Sequence, residues 1–320
     1  MPASSSHKVV YTALAGNLMI AIAKFVAAAI SGSSAMISEG VHSLVDTVNE
    51  VLLLYGLHRA GMPPDRTHPF GHGRELYFWS FIVALLVLSM GAGVSFYEGV
   101  MHIRHPEVIE RPLINYLVLA VSFVFEGTSW SIALREFRKR KGKLGYFEAF
   151  RLSKDPTTFT VLLEDSAALL GLLVALAGLV GAQTLGQPAL DGVASIGIAC
   201  VLATSALLLA RETKGLLIGE TAHPAVSESI LAIAGSDDGV RCANGVLTVQ
   251  MGPSQVVAAL SAEFEDALTT PQIEACIDRI EREAKRAHPE IISLFVKPQT
   301  ADVWNAKRMK LEVAAQERDS

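Results

Sequence analysis

Six stretches of this chain, Val9 to Ile30, Ser33 to Leu57, Tyr77 to Val100, Leu113 to Leu134, Pro156 to Ala182 and Leu190 to Ala210, each supply about the 20 residues a helix needs to cross a ~30 Å hydrocarbon core. A spanning segment must satisfy its own backbone polar groups, so the pattern predicts an α-helical membrane protein with six transmembrane helices. The composition agrees. With 51% hydrophobic and 18% charged residues, the chain is too apolar for an ordinary soluble domain. The first run has no small-residue cleavage site and leads directly into a second span, so it reads as a retained helix rather than a signal peptide.

The Lys/Arg distribution in short loops sets orientation. Arg135-Glu136-Phe137-Arg138-Lys139-Arg140-Lys141-Gly142-Lys143 follows the fourth run, and Arg59, Arg66 and Arg74 follow the second. These loops are expected on the cytoplasmic side. The uncharged turn Ser31 to Ser34 and the mixed segment Met101 to Pro112, with Arg104, Glu107, Glu110 and Arg111, are expected outside. An even number of spans then puts both termini in the cytoplasm. The expected domains are 1–212 for the membrane part, 213–300 for a small soluble domain and 301–320 for a charged, irregular tail. Within the soluble part, a helix near Ala225 to Ala234, strands Val246 to Met251 and Val256 to Phe264, a helix with the apolar stripe Ile273, Ile277, Ile280 and Ala284, and a strand Ile291 to Val296 give an αββαβ order. Met251-Gly252-Pro253-Ser254 reads as the hairpin turn. Cys200, Cys242 and Cys276 form no CxxC pair, which implies neither a disulfide framework nor a thiolate metal site.

An ionisable group near the bilayer centre is costly and usually faces a cavity, a partner or an ion path. His42 and Asp46 stand four residues apart in the second run, on one helix face, the geometry in which both can share a metal ion. At ~1.5 Å per residue, Asp46 lies roughly 17 Å from the cytoplasmic end of its run, and Asp165 and Glu126 roughly 14 Å. Three carboxylates from three helices thus fall at one depth, as a midmembrane binding site requires. The competing readings are a core histidine bonded to a backbone carbonyl, an Asp46 paired with Lys24, and a Glu126 held by Ser129 or Ser131. Asn17 and Asn49 are polar at similar depth and fit either supporting hydrogen bonds or helix packing. In the loop after the second run, Asp65, His68 and His72 fall within eight residues; they read either as ligands of one metal ion or as ordinary polar loop residues. The basic run fits contact with anionic lipid. The tail has no basic face with stacking aromatics, so nucleic acid is excluded as a partner.

His42-xxx-Asp46 in the second span, His68-Pro69-Phe70-Gly71-His72-Gly73 just after it, six spans and an αββαβ tail together resemble the cation diffusion facilitator family, over about His7 to Pro298. The resemblance implies a homodimeric divalent-metal/proton antiporter that exports Zn2+ or a similar ion from the cytoplasm, with a ferredoxin-like tail domain. It implies that His42, Asp46 and Asp165 ligate the transported metal and that Asp65, His68 and His72 hold a second, loop-borne ion. Val161 stands where the family usually has a further ligand, so Glu164, Glu126 or a water is expected to complete the set. The metal is substrate rather than prosthetic group. A His/carboxylate set suits Zn2+ first, and accepts Mn2+, Fe2+ and Co2+. A membrane-embedded metal-dependent hydrolase and a metal sensor without transport are the alternatives. The membrane is read as a bacterial inner membrane.

Overall fold

The computed structural model describes residues 3–109, 111–142 and 145–319, so Glu110 of the loop expected outside and Lys143 of the basic run lie outside the described residues. The chain falls into two compact units: Met1–Gly61 with Glu75–Lys214, and Met62–Arg74 with Gly215–Ser320.

The first unit is helical: α1 (Ala3–Ser31), α2 (Ser34–Ala60), α3 (Arg74–Leu86), a π-turn at Val87–Ala92, α4 (Gly93–Arg104), α5 (Pro112–Lys141), a short α6 (Tyr146–Leu152), α7 (Pro156–Leu185) and α8 (Ala189–Ile218). Local chemistry sets the breaks. Gly32, at φ +70°, turns the chain between α1 and α2, and the Ser33 hydroxyl accepts from the N–H of Met36. Asp155 caps α7 through the N–H of Thr157, with Pro156 at the first helical position. Among the described residues, four stretches are long and apolar enough to span a bilayer: Arg74–Arg104, Pro112–Lys139, Phe159–Leu185 and Ala189–Ile218. In α2 the apolar signal is diluted by Glu39, Asp46 and Glu50, which supply the unit's polar interior.

That interior is inverted relative to a water-soluble bundle. Val121 and Val124 of α5 are 65% and 70% exposed, while Lys24 and Glu39 have no exposed surface. Apolar side chains outside and paired charges inside are what a hydrocarbon solvent selects. The apolar core is built on Met36, Val45, Leu172, Leu179, Ile198 and Leu202. Helices α4 and α8 approach at Gly99 and Gly192, where a Cβ on either residue would lie 2.7 Å or 2.8 Å from the other's carbonyl oxygen.

The second unit contains α9 (Pro224–Gly235), β1 (Val240–Gly252), β2 (Gln255–Phe264), α10 (Thr270–Ala287), β3 (Ile291–Pro298) and α11 (Ala301–Asp319). The sheet order is β1-β2-β3, with β1 and β2 antiparallel across the expected turn and β2 parallel to β3. A capping box at Thr269 and Gln272 starts α10, whose Cys276, Ile280 and Ala284 pack on Val256, Ala258 and Leu260 of β2. The expectation of an irregular tail after Thr300 is corrected by α11. Glu263 accepts the N–H of Ala301, and the Trp304 indole lies against Gly245, where a side chain on β1 would leave no room. The charged composition concealed this anchoring.

Candidate metal centre

Helix α2 carries a stripe of polar residues into the first unit. His42, Asp46 and Glu50 recur every four residues, and Asn49 flanks them. Asp46, Glu50, Glu126, Glu164 and Asp165 line one cavity of ≈ 50 Å3 with Asn17, Ser43 and Val161. That volume exceeds the ~10–15 Å3 needed by one water and is large enough for an ion. Adjacent helical residues are turned by ~100°, yet Glu164 and Asp165 of α7 both reach this space.

Three of these acids have their own support. Ser129 donates to Asp165 at 2.9 Å, Asn49 to Glu164 at 2.7 Å, and Asn17 to Glu50 at 2.7 Å. The competing pairings are taken up elsewhere: Lys24 donates to Glu39 at 2.9 Å and to Ser43 at 2.7 Å, and Ser131 bonds the carbonyl of Gly127 in its own helix. His42 is buried, and neither ring nitrogen has a hydrogen-bond partner among the described residues. Its Nδ1 lies 3.4 Å from Asp46 Oδ1.

The geometry therefore brings together Asp46, Glu126, Glu164 and Asp165 and supports two of them through Asn49 and Ser129. His42 joins through Asp46 rather than from the cavity wall. Among the described residues, the membrane acids share a space but do not form a group of three whose ligand atoms all lie within 4.8 Å of one another. Glu50 was missed in the sequence, although its position one turn after Asp46 placed it on the same helix face.

The loop triad is tighter. Among the described residues, Asp65, His68 and His72 form the one group of three whose ligand atoms all lie within 4.8 Å of one another. Asp65 Oδ1 is 3.4 Å from His68 Nδ1, and Oδ2 is 3.5 Å from His72 Nε2. Bonds of 2.0–2.1 Å in a tetrahedral site place ligands ~3.3–3.4 Å apart, so this N/O set fits a divalent transition ion. The loop is shaped for it. Asp65 accepts from the hydroxyl and N–H of Thr67 and the N–H of His68, the bonds that hold its carboxyl down at about 2. Gly71, at φ +85°, closes the turn onto the carbonyl of His68. Gly73 rests on the β1–β2 hairpin, where an added Cβ would collide with Gln255 and lie 2.6 Å from the Met251 carbonyl.

Residues 10–218 match the family described as the cation efflux transmembrane domain. The chain is 36% identical over 267 residues to the mitochondrial proton-coupled zinc antiporter of Xenopus laevis and 34% identical over 266 residues to the human protein, in each case 82% of this chain. It spans about half, 47%, of the length of those relatives. It is also 23% identical over 296 residues, 91% of this chain and 95% of the relative, to the manganese efflux system protein MneP of Bacillus subtilis. The mitochondrial relatives overturn the expectation of a bacterial inner membrane with cytoplasmic termini; what stands is a membrane protein. Span length and loop charge specify crossings and relative sidedness, and contain no address for a particular membrane.

Proposed function

We infer, because this chain belongs to the cation efflux family, that it moves divalent metal ions across a membrane, exchanging Zn2+ for protons at a site between α2, α5 and α7. The family is one of transporters, so the hydrolase alternative falls. The observation that carries the reading is the buried cavity shared by Asp46, Glu126, Glu164 and Asp165. Carboxylates crowded in a low-dielectric space require a counter-charge, which either a divalent cation or protons supply. Metal ligands must be deprotonated, so loading the ion releases protons and unloading it takes protons back.

In this reading His42, Asp46 and Asp165 are the principal ligands, Glu164 or Glu126 completes the set in place of Val161, and Asn17 and Asn49 orient the acids. All six long helices cross the bilayer, with α2 tolerated because its charges face the bundle. The soluble unit is ferredoxin-like, 213–300, extended by 301–320. The protein works as a homodimer and carries metal away from the side bearing the basic loops. Asp65, His68 and His72 would hold a second ion, which as a Lewis acid would tie the three side chains together. Zn2+ leads because the α2 stripe offers the His42 imidazole beside the cavity's carboxylates; Mn2+, Fe2+ and Co2+ share that chemistry.

Purified protein in proteoliposomes, given Zn2+ and an imposed pH gradient, tests this. The expected result is Zn2+ uptake that collapses with a protonophore and is reduced at least ~100-fold in Asp46→Ala. Uptake indifferent to the gradient removes the antiport; normal uptake by Asp46→Ala removes the site.

A further inference from the structure

Glu50 lies one turn from Asp46, nearer the end of α2 at Ala60: at ~1.5 Å per residue, Glu50 is ~15 Å from that end and Asp46 ~21 Å. It lines the enclosed cavity, and with Asn17 and Ser129 it also lines a wider, mostly apolar groove of ≈ 710 Å3 along α5. Glu50 thus stands on the rim of the cavity, whereas Asp46, Glu164 and Asp165 belong to the cavity alone. Its two oxygens are unequal. Asn17 fixes Oε1 at 2.7 Å, while Oε2 is buried without a hydrogen-bond partner among the described residues. Deeper along the same stripe, among the described residues, His42, 1% exposed, has both ring nitrogens free of hydrogen bonds and turns Nδ1 to 3.4 Å from Asp46 Oδ1, which likewise makes no hydrogen bond.

A polar atom buried without a partner is costly unless a ligand uses it. Along one face of α2, three successive turns each present such an atom: Glu50 Oε2, Asp46 Oδ1 and His42. We propose that Glu50 is a working carboxylate of the transport route, which receives the divalent cation at the rim of the cavity through Oε2 and hands it to Asp46 and Asp165. Asn17 is then a positioning residue that keeps the receiving oxygen turned inward. This assignment rests on the transport reading above and adds an ordered path to it: an ion approaching from the Ala60 end meets Glu50 first. Two oxygens on successive turns of one helix are separated by ~6 Å of rise, a single short step for a cation that is never without a carboxylate.

The test is initial-rate Zn2+ uptake into proteoliposomes against Zn2+ concentration, for the full chain and for Glu50→Gln, Glu50→Asp, Asn17→Ala and Asp46→Asn. Glu50→Gln keeps an oxygen for Asn17 and removes only the charge, so the fold is preserved. The expected result is a KM raised about tenfold or more in Glu50→Gln with a smaller change in kcat, substantial recovery in Glu50→Asp, and a milder KM increase in Asn17→Ala. Wild-type KM in Glu50→Gln alongside an inactive Asp46→Asn overturns the role of Glu50 and leaves the transport site standing. So does an Asn17→Ala variant that matches Glu50→Gln with an unchanged KM and lowered kcat, since that pattern belongs to a purely structural bond. Wild-type uptake by Asp46→Asn overturns the underlying transport site, and the role of Glu50 with it.

Discussion

Lys24 has no exposed surface, and its ammonium is divided between Glu39 and Ser43, one turn from His42. A buried ion pair gains little over a well-packed apolar pair, but removing one partner strands the other charge at a cost of about 3–5 kcal/mol. Lys24→Met is therefore expected to lower the unfolding temperature of the detergent-solubilised protein sharply, and the double change Lys24→Met, Glu39→Met to recover most of it. If the single and double variants unfold together, the pair is not coupled. Asp65 supplies a pH prediction. Its bonds to Thr67 and His68 hold its pKa at about 2, below the ordinary 3.8. The turn keeps its charged acceptor above the ordinary value and loses it only as the pH falls towards about 2. An NMR titration of the Asp65 carboxyl is therefore expected to place its midpoint at about 2, and Thr67→Ala, which removes the hydroxyl donor, to raise it towards 3.8. At this scale, the sequence exposed the acids through their cost in an apolar run. It hid their partners: nothing local in Ser129 points to Asp165, or in Asn49 to Glu164, since those bonds join different helices.

At the scale of elements, caps and turn residues act locally: Gly32, Asp155 with Pro156, and Thr269 with Gln272 lie at the observed boundaries. The strands β1 and β2 and the apolar face of α10 followed from period-two and period-four patterns. The last helix, α11, did not, because what fixes it is a contact with Gly245 far back in the chain. Gly73 is the sharpest test of such long-range fitting. Gly73→Ala is expected to cost about 1–3 kcal/mol of local stability by overpacking and to weaken Co2+ or Zn2+ binding by the loop triad about tenfold. Gln255→Ala in the same chain relieves only the side-chain collision, so calorimetric metal titration of the double variant is expected to recover part of the loss. Full-strength binding in Gly73→Ala alone would mean that the triad does not depend on the hairpin.

For the molecule as a whole, the membrane family was legible because span length, the His42/Asp46 stripe and the loop histidines are all contiguous signals. The relatives' names cite zinc and manganese. On one reconstituted preparation we expect Zn2+ and Mn2+ to compete for a single saturable uptake, while Cu+, which favours sulfur ligands, does not compete. Independent, non-competing uptake would mean two routes. What no local signal revealed is that Met62–Arg74, flanked on both sides by membrane helices, belongs to the unit completed by the last third of the chain. During synthesis, α2 and α3 leave the ribosome long before the hairpin against which Gly73 rests. The histidine loop must therefore wait, unsupported, until the β1–β2 hairpin has been made, and the helices that flank it are in place before the loop is locked.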